Sequence, residues 1–137
     1  MRKKKQRKNG VLKTRNTVLV VEDDDSLREL LKTMLEAHGF KVLTATDGLD
    51  AVEVFTKNKE NIGVVLSDLG LPYLGGWDAF LRMKKINPEL KGILASGYFH
   101  PSVKEEIIKS GAENFIQKPY NTPEIVAMLH RMLEEEE

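Results

Sequence analysis

The chain has 137 residues, 41% of them hydrophobic, no cysteine, and equal numbers of basic and acidic side chains. That length fits one domain with an ordinary core, and the missing cysteines exclude disulfides and thiolate metal sites. Its apolar runs, about five residues at most, fall far short of the ~20 that span a bilayer, and the basic start Met1-Arg2-Lys3-Lys4-Lys5 is not followed by the apolar segment of a secretory signal.

From residue 17 onward, short β-branched runs alternate with helical periodicity. The first run covers 17–21. Leu27, Leu30, Leu31, Met34 and Leu35 then recur at helical spacing, which predicts an amphipathic helix. Asp25 or Ser26 would cap its start, and His38-Gly39 would stop it. Residues 41–45 read as a strand. Asp47 caps a second helix carrying Ala51, Val52 and Phe55, and 63–67 read as a strand buried on both faces. A third helix covers 76–86 and ends before Asn87-Pro88; 91–95 form the fourth strand. The fourth helix opens at Pro101-Ser102, with Ser102 and Glu105 spaced as a capping box. It buries Val103, Ile107 and Ile108 and stops at Gly111. Residues 114–117 form the fifth strand. Thr122 caps the fifth helix, with Pro123 in its first turn and Ile125, Val126, Met128, Leu129 and Leu133 as its stripe.

The balanced net charge conceals a split. Residues 1–16 hold eight Lys and Arg and no acid, which leaves 13 basic and 21 acidic side chains, a net of −8, on the remainder. An arm of that kind could touch nucleic acid or anionic lipid. It has almost nothing apolar to bury, so it reads as a basic flexible arm or linker over 1–16, ahead of a domain over 17–137. The glutamates at 134–137 read as a solvated end.

Five strands alternating with five helices predict an α/β fold, a parallel sheet covered on both faces. In open sheets of this kind the site lies beyond the carboxyl ends of the strands. Asp23, Asp68, Ser96 and Lys118 fall at the ends of strands one, three, four and five. Two of those ends are acidic, and a divalent cation is the simplest compensation. An acid pair, a lone acid, a hydroxyl and an amine are the parts needed to accept a phosphoryl group.

Four blocks carry a family resemblance: Val20-Val21-Glu22-Asp23-Asp24; Ser67-Asp68-Leu69-Gly70-Leu71-Pro72-Tyr73-Leu74-Gly75-Gly76; Ile93-Leu94-Ala95-Ser96-Gly97; and Gly111-Ala112-Glu113-Asn114-Phe115-Ile116-Gln117-Lys118-Pro119. In this order and spacing the chain resembles the receiver domain of two-component response regulators, over residues 17–133. The resemblance implies a flavodoxin-like, doubly wound sheet of order 2-1-3-4-5. It implies Asp68 as phosphoacceptor, with Ser96 and Lys118 binding phosphoryl oxygens. Glu22, Asp23, Asp68 and the Gly70 carbonyl would hold Mg²⁺ (or Mn²⁺), Asp23 directly and Glu22 through water. A carboxylate repels an anionic donor, and a cation between them screens that repulsion. Phe115 takes the place of a switch aromatic behind Ser96. The Lys118–Pro119 bond is expected to be cis. Gly70 and Tyr98 are positions bearing on phosphoryl lifetime. Asp24 and Asp25 read as solvated or helix-capping. Trp77, Tyr73 and Tyr120 lie near the same rim, for partner contacts or for packing. His38, His100 and His130 read as surface residues, none a phosphodonor.

The implied partner is a histidine kinase or a histidine phosphotransfer protein, with no nucleic acid and no membrane insertion. The implied location is cytoplasmic, or the cytoplasmic portion of a membrane-bound sensor kinase. Such a domain catalyses only its own phosphorylation and dephosphorylation, as a monomer or a weak homodimer through helix 4, strand 5 and helix 5. Residues 93–98, Ile-Leu-Ala-Ser-Gly-Tyr, resemble receivers fused to hybrid sensor histidine kinases, so a fragment of such a kinase is an alternative to a stand-alone regulator. Two further alternatives are an unphosphorylated interaction module and a haloacid-dehalogenase-type phosphatase. The latter needs an aspartate two residues beyond the nucleophile, where this chain has Gly70.

Overall fold

Each apolar run of the domain becomes a strand, and each periodic stretch a helix laid against the strands. The computed structural model describes residues 7–8, 11–12, 15–71, 73–109 and 114–134. The expected helix stop at Gly111, residues 135–137 and most of the basic arm lie outside them. The elements run β1 (Thr17–Val21), α1 (Asp25–Ala37), β2 (Lys41–Ala45), α2 (Gly48–Asn58), β3 (Ile62–Asp68), α3 (Gly76–Ile86), β4 (Lys91–Ser96), α4 (Pro101–Lys109), β5 (Asn114–Gln117) and α5 (Thr122–Glu134). The five strands are parallel, in the order β2-β1-β3-β4-β5. This is the doubly wound 2-1-3-4-5 arrangement. Ahead of it, Arg7–Lys8 pairs antiparallel with Val11–Leu12.

Alternation along the strands sorts side chains to two cores. Leu19 and Val21 join Val65 and Leu94 under α2, α3 and α4, where Phe55, Phe80, Met83 and Ile107 close the layer. Val18 and Val20 join Val64, Leu66 and Ile93 under α1 and α5, against Leu31, Leu35, Ile125 and Leu129. Both faces of β1 and β3 are therefore apolar, as parallel strands covered twice must be. Burying a side chain the size of Phe55 or Phe80 contributes about 2–3 kcal/mol.

Asp47 caps α2 as expected, accepting the Asp50 N–H at 2.8 Å, but the caps of α1, α4 and α5 differ from the sequence expectation. Neither Asp25 nor Ser26 caps α1; Asp24, read as solvated or helix-capping, does, its side chain accepting the Leu27 N–H at 2.9 Å. Asp25 sits in the first turn and pairs with Arg28. Thr122 is the first helical residue of α5, and Asn121 accepts the Glu124 N–H at 2.9 Å in its place. Ser102 lies inside α4, where its N–H and hydroxyl meet His100 Nδ1. Of the three apolar residues expected to be buried in α4, only Ile107 is; Val103 and Ile108 are 41% and 51% exposed. Leu30, counted in the α1 stripe, is exposed as well. α1 does stop as expected: Gly39, at φ 92°, donates to the Glu36 carbonyl. Strands β3 and β4 each run one residue beyond the expected end, because Asp68 still pairs with Ala95 and Ser96 with Gln117.

A glycine sets the join between β3 and α3. A Cβ on Gly76 would lie 2.1 Å from the Asp68 carbonyl oxygen and 2.8 Å from Ser67 Oγ. The helix can start that close to the strand end only without a side chain. Gly76→Ala is expected to lower unfolding free energy by about 2–3 kcal/mol in urea denaturation, since backbone must move to admit the methyl. A loss under about 0.5 kcal/mol would show that the join yields freely.

Candidate functional site

The carboxyl ends of β1, β3, β4 and β5 lie side by side, and each delivers one kind of polar group. Val21 pairs with Ser67, so the residues that follow, Glu22 and Asp68, leave adjacent strands at one level. Across the next gap the Leu69 N–H donates to the Ala95 carbonyl at 2.9 Å. Across the last, the Lys118 N–H donates to the Ser96 carbonyl at 2.8 Å. Backbone pairing therefore carries Glu22, Asp68, Ser96 and Lys118 to one rim.

Glu22, Asp23 and Asp68 each place a carboxylate oxygen within 4.8 Å of the other two. Among the described residues this is the one such group of three. Their exposures differ: Glu22 is buried, Asp68 half-buried and Asp23 open to solvent. The Lys118 ammonium enters from β5, donating to Asp68 Oδ2 at 3.1 Å and to Glu22 Oε1 at 3.3 Å. The other Glu22 oxygen accepts the Asp24 N–H at 3.1 Å. The other Asp68 oxygen accepts the Gly70 N–H at 3.2 Å. Arg28 fixes the β1–α1 loop by donating to the Glu22 carbonyl at 2.9 Å.

Burial pushes the Glu22 carboxyl above the usual carboxylate range, with Asp68 adding to the rise against the Asp24 N–H and Lys118. Burial alone would lower Lys118, but its hydrogen bond and attraction to Asp68, then Glu22, leave it raised and firmly charged. Burial also raises the Tyr120 phenol, helped by the charges of Glu22 and Asp68.

The three acids offer hard oxygen donors, one of them solvent-facing. That is the donor set Mg²⁺ takes when it keeps several of its waters.

Ser96 is half-buried at the end of β4. Its hydroxyl donates to the Tyr98 carbonyl at 2.9 Å and accepts the Tyr98 N–H at 3.2 Å. Tyr98 itself is 70% exposed. Phe115 is half-buried, edge-on to Phe99 with ring centroids 5.1 Å apart, and Lys104 of α4 sits 5.3 Å from its centroid. The Lys118–Pro119 peptide is cis. Trp77 is half-buried and stacks on Phe80, Tyr73 stands 85% exposed at φ 67°, and Tyr120 is half-buried. His38, His100 and His130 are exposed. Two contributors escape sequence reasoning: Arg28 is legible only as an i,i+3 partner of Asp25, and Gly76 only as one glycine among ten. Tyr120, expected near this rim for partner contacts or packing, packs against the core with its ring centroid 5.5 Å from Lys118 Nζ.

The chain matches the family described as response regulator receiver domain over residues 18–130. It is 36% identical over 105 residues to a cyclic di-GMP phosphodiesterase of Thermotoga maritima, covering 77% of this chain and 27% of that protein. It is 34% identical over 116 residues to the chemotaxis protein CheY of Thermotoga maritima, covering 84% of this chain and 95% of CheY. The matched unit is thus about a quarter of one relative and nearly all of the other. Among solved structures, a response regulator receiver domain protein from Clostridium thermocellum superposes with a TM-score of 0.82 at 28% identity, covering 87% of this chain and 94% of that one.

The raised Glu22 fixes a sign. The folded chain takes up this proton at higher pH than the unfolded chain, so stability from this group falls as pH rises through the window between the ordinary and the raised value. In chelator, Glu22→Gln is expected to melt higher than wild type at about pH 8, with the difference shrinking as pH falls through that window. A melting-temperature difference that does not change with pH would contradict the argument.

Proposed function

The chain belongs to the response regulator receiver domain family of two-component signalling, and from that premise we propose that Asp68 accepts a phosphoryl group from a phosphohistidine on a partner kinase or phosphotransfer protein. One observation carries the assignment: Asp68 ends its strand in contact with the Lys118 ammonium at 3.1 Å, with two further carboxylates alongside. An Asp68 carboxylate oxygen attacks phosphorus, the P–N bond to histidine breaks, and its electron pair stays on the imidazole nitrogen. Glu22, Asp23 and Asp68, with the Gly70 carbonyl, would hold Mg²⁺ (or Mn²⁺), which when bound supplies positive charge to the transferring oxygens. Lys118 already touches the accepting carboxylate and donates to one phosphoryl oxygen. The Ser96 hydroxyl leaves the Tyr98 carbonyl for another.

That movement is the start of the switch. Space opens behind Ser96, and Phe115 rotates into it, away from Phe99 and Lys104. Phe115 lies on β5 and Lys104 on α4, so the rotation alters the α4–β5–α5 surface, which we take as the output face and as the face of any weak homodimer. Phe115 has no hydroxyl, so the readout there is packing alone. Reversal is hydrolysis of the acyl phosphate by water. Gly70 offers no side chain to orient that water, which leaves exposed Tyr98 as the residue beside the site that sets the lifetime.

Receiver domains work with histidine kinases or phosphotransfer proteins as signalling modules. Our reading makes this one a switch acting on the cytoplasmic side, with residues 17–137 as the switching unit and 1–16 as an appended basic arm. No described helix is long and apolar enough to cross a membrane.

Acetyl phosphate labelling tests the site. Asp68→Asn is expected to cut labelling at least about 100-fold, and chelation of Mg²⁺ to do the same in wild type. Ser96→Ala is expected to slow it about ten-fold, the loss of one hydrogen bond to a charged group. Label persisting in Asp68→Asn would remove Asp68 from the reaction. Tyr98→Ala is expected to change the dephosphorylation rate several-fold, as read by loss of label after the donor is removed; a rate equal to wild type would take Tyr98 out of lifetime control.

A further inference from the structure

Lys118 is enclosed on three sides, and the carboxylates of Glu22 and Asp68 account for only two. The third is the ring of Tyr120, whose centroid lies 5.5 Å from Lys118 Nζ. That is within the range over which an aromatic face attracts an ammonium. The two groups are anchored differently. Tyr120 is half-buried and packs against the core beneath α1 and α5. Lys118 reaches the rim on a flexible four-carbon stem whose rotamer freedom opposes any single placement. A fixed ring beside a mobile cation removes the rotamers that would swing the ammonium out to water.

We propose that Tyr120 is the positioning residue for Lys118, holding its ammonium against the Asp68 carboxylate before the phosphoryl group arrives. This rests on reading Asp68 as the phosphoacceptor. The ring face carries the effect and the phenolic hydroxyl does not, so phenylalanine suffices and an aliphatic side chain of similar bulk does not. Tyr120 touches neither donor nor phosphoryl group; it acts through Lys118.

Five proteins decide it: wild type, Tyr120→Phe, Tyr120→Leu, Lys118→Met, and Tyr120→Leu combined with Lys118→Met, each checked for a cooperative thermal transition. Acetyl phosphate labelling of Tyr120→Phe is expected to match wild type within about two-fold, and Tyr120→Leu to fall about five-fold. In the Lys118→Met background Tyr120→Leu is expected to add nothing, because the cation it positions is gone. Without any donor, the Lys118 ε-methylene proton resonances should lie upfield in wild type and Tyr120→Phe and return toward ordinary lysine values in Tyr120→Leu. Unchanged labelling in Tyr120→Leu, or the full loss repeated in the Lys118→Met background, would overturn the proposal, as would failure of Tyr120→Phe to preserve the shift. Lys118→Met labelled as fast as wild type would instead sink the reading of the site itself. Should Tyr120→Leu fail to fold, Tyr120→Met carries the same test.

Discussion

Like charges brought together at one edge of a sheet oppose folding, and this chain brings three. Glu22, Asp23 and Asp68 have carboxylate oxygens within 4.8 Å of one another, and like charges that close repel. Burial of Glu22 adds a desolvation cost that its own hydrogen bonds do not offset. Lys118 moderates the conflict by reaching two of the three acids. The arrangement makes little sense as a contribution to stability, since apolar side chains would serve better. On the reading proposed above it is stored demand for positive charge, which a bound cation would meet.

Everything that positions the rim follows from backbone pairing. Parallel strands at fixed register bring their ends to a common level, and pairing that continues to Asp68 and Ser96 makes the reactive residues the last rungs of the ladder. Because those residues finish strands, their main chains are held by the sheet while their side chains project past it. The close start of α3 at Gly76 adds a second brace behind Asp68.

The strands, their order and the placing of Asp23, Asp68, Ser96 and Lys118 at the strand ends were legible because each rests on a pattern repeated over several residues. Features set by single residues were not. Asp24, Asp25 and Ser26 are all acceptable helix caps, and which one serves depends on a backbone turn that composition does not encode. Asn121 and Thr122 pose the same ambiguity. Val103 and Ile108 share helical spacing with Ile107, but α4 is nine residues long and its apolar stripe is wider than the surface that covers it. Tyr120, Gly76 and Arg28 matter through contacts formed only on folding: a ring beside an ammonium, a missing Cβ beside a carbonyl, a guanidinium on a loop carbonyl.

The shallow seating of α4 has an energetic corollary. With Ile107 as its single fully covered side chain, dislodging the helix forfeits roughly one residue of burial, about 2–3 kcal/mol. A new hydrogen bond to a charged phosphoryl oxygen is worth about 1.5–3 kcal/mol. The two quantities are of one size, so on the phosphoacceptor reading proposed above a single covalent event is enough to tip the helix, and its removal to let it fall back. A helix sewn in by three such anchors would be deaf to that event; one with none would answer to thermal noise.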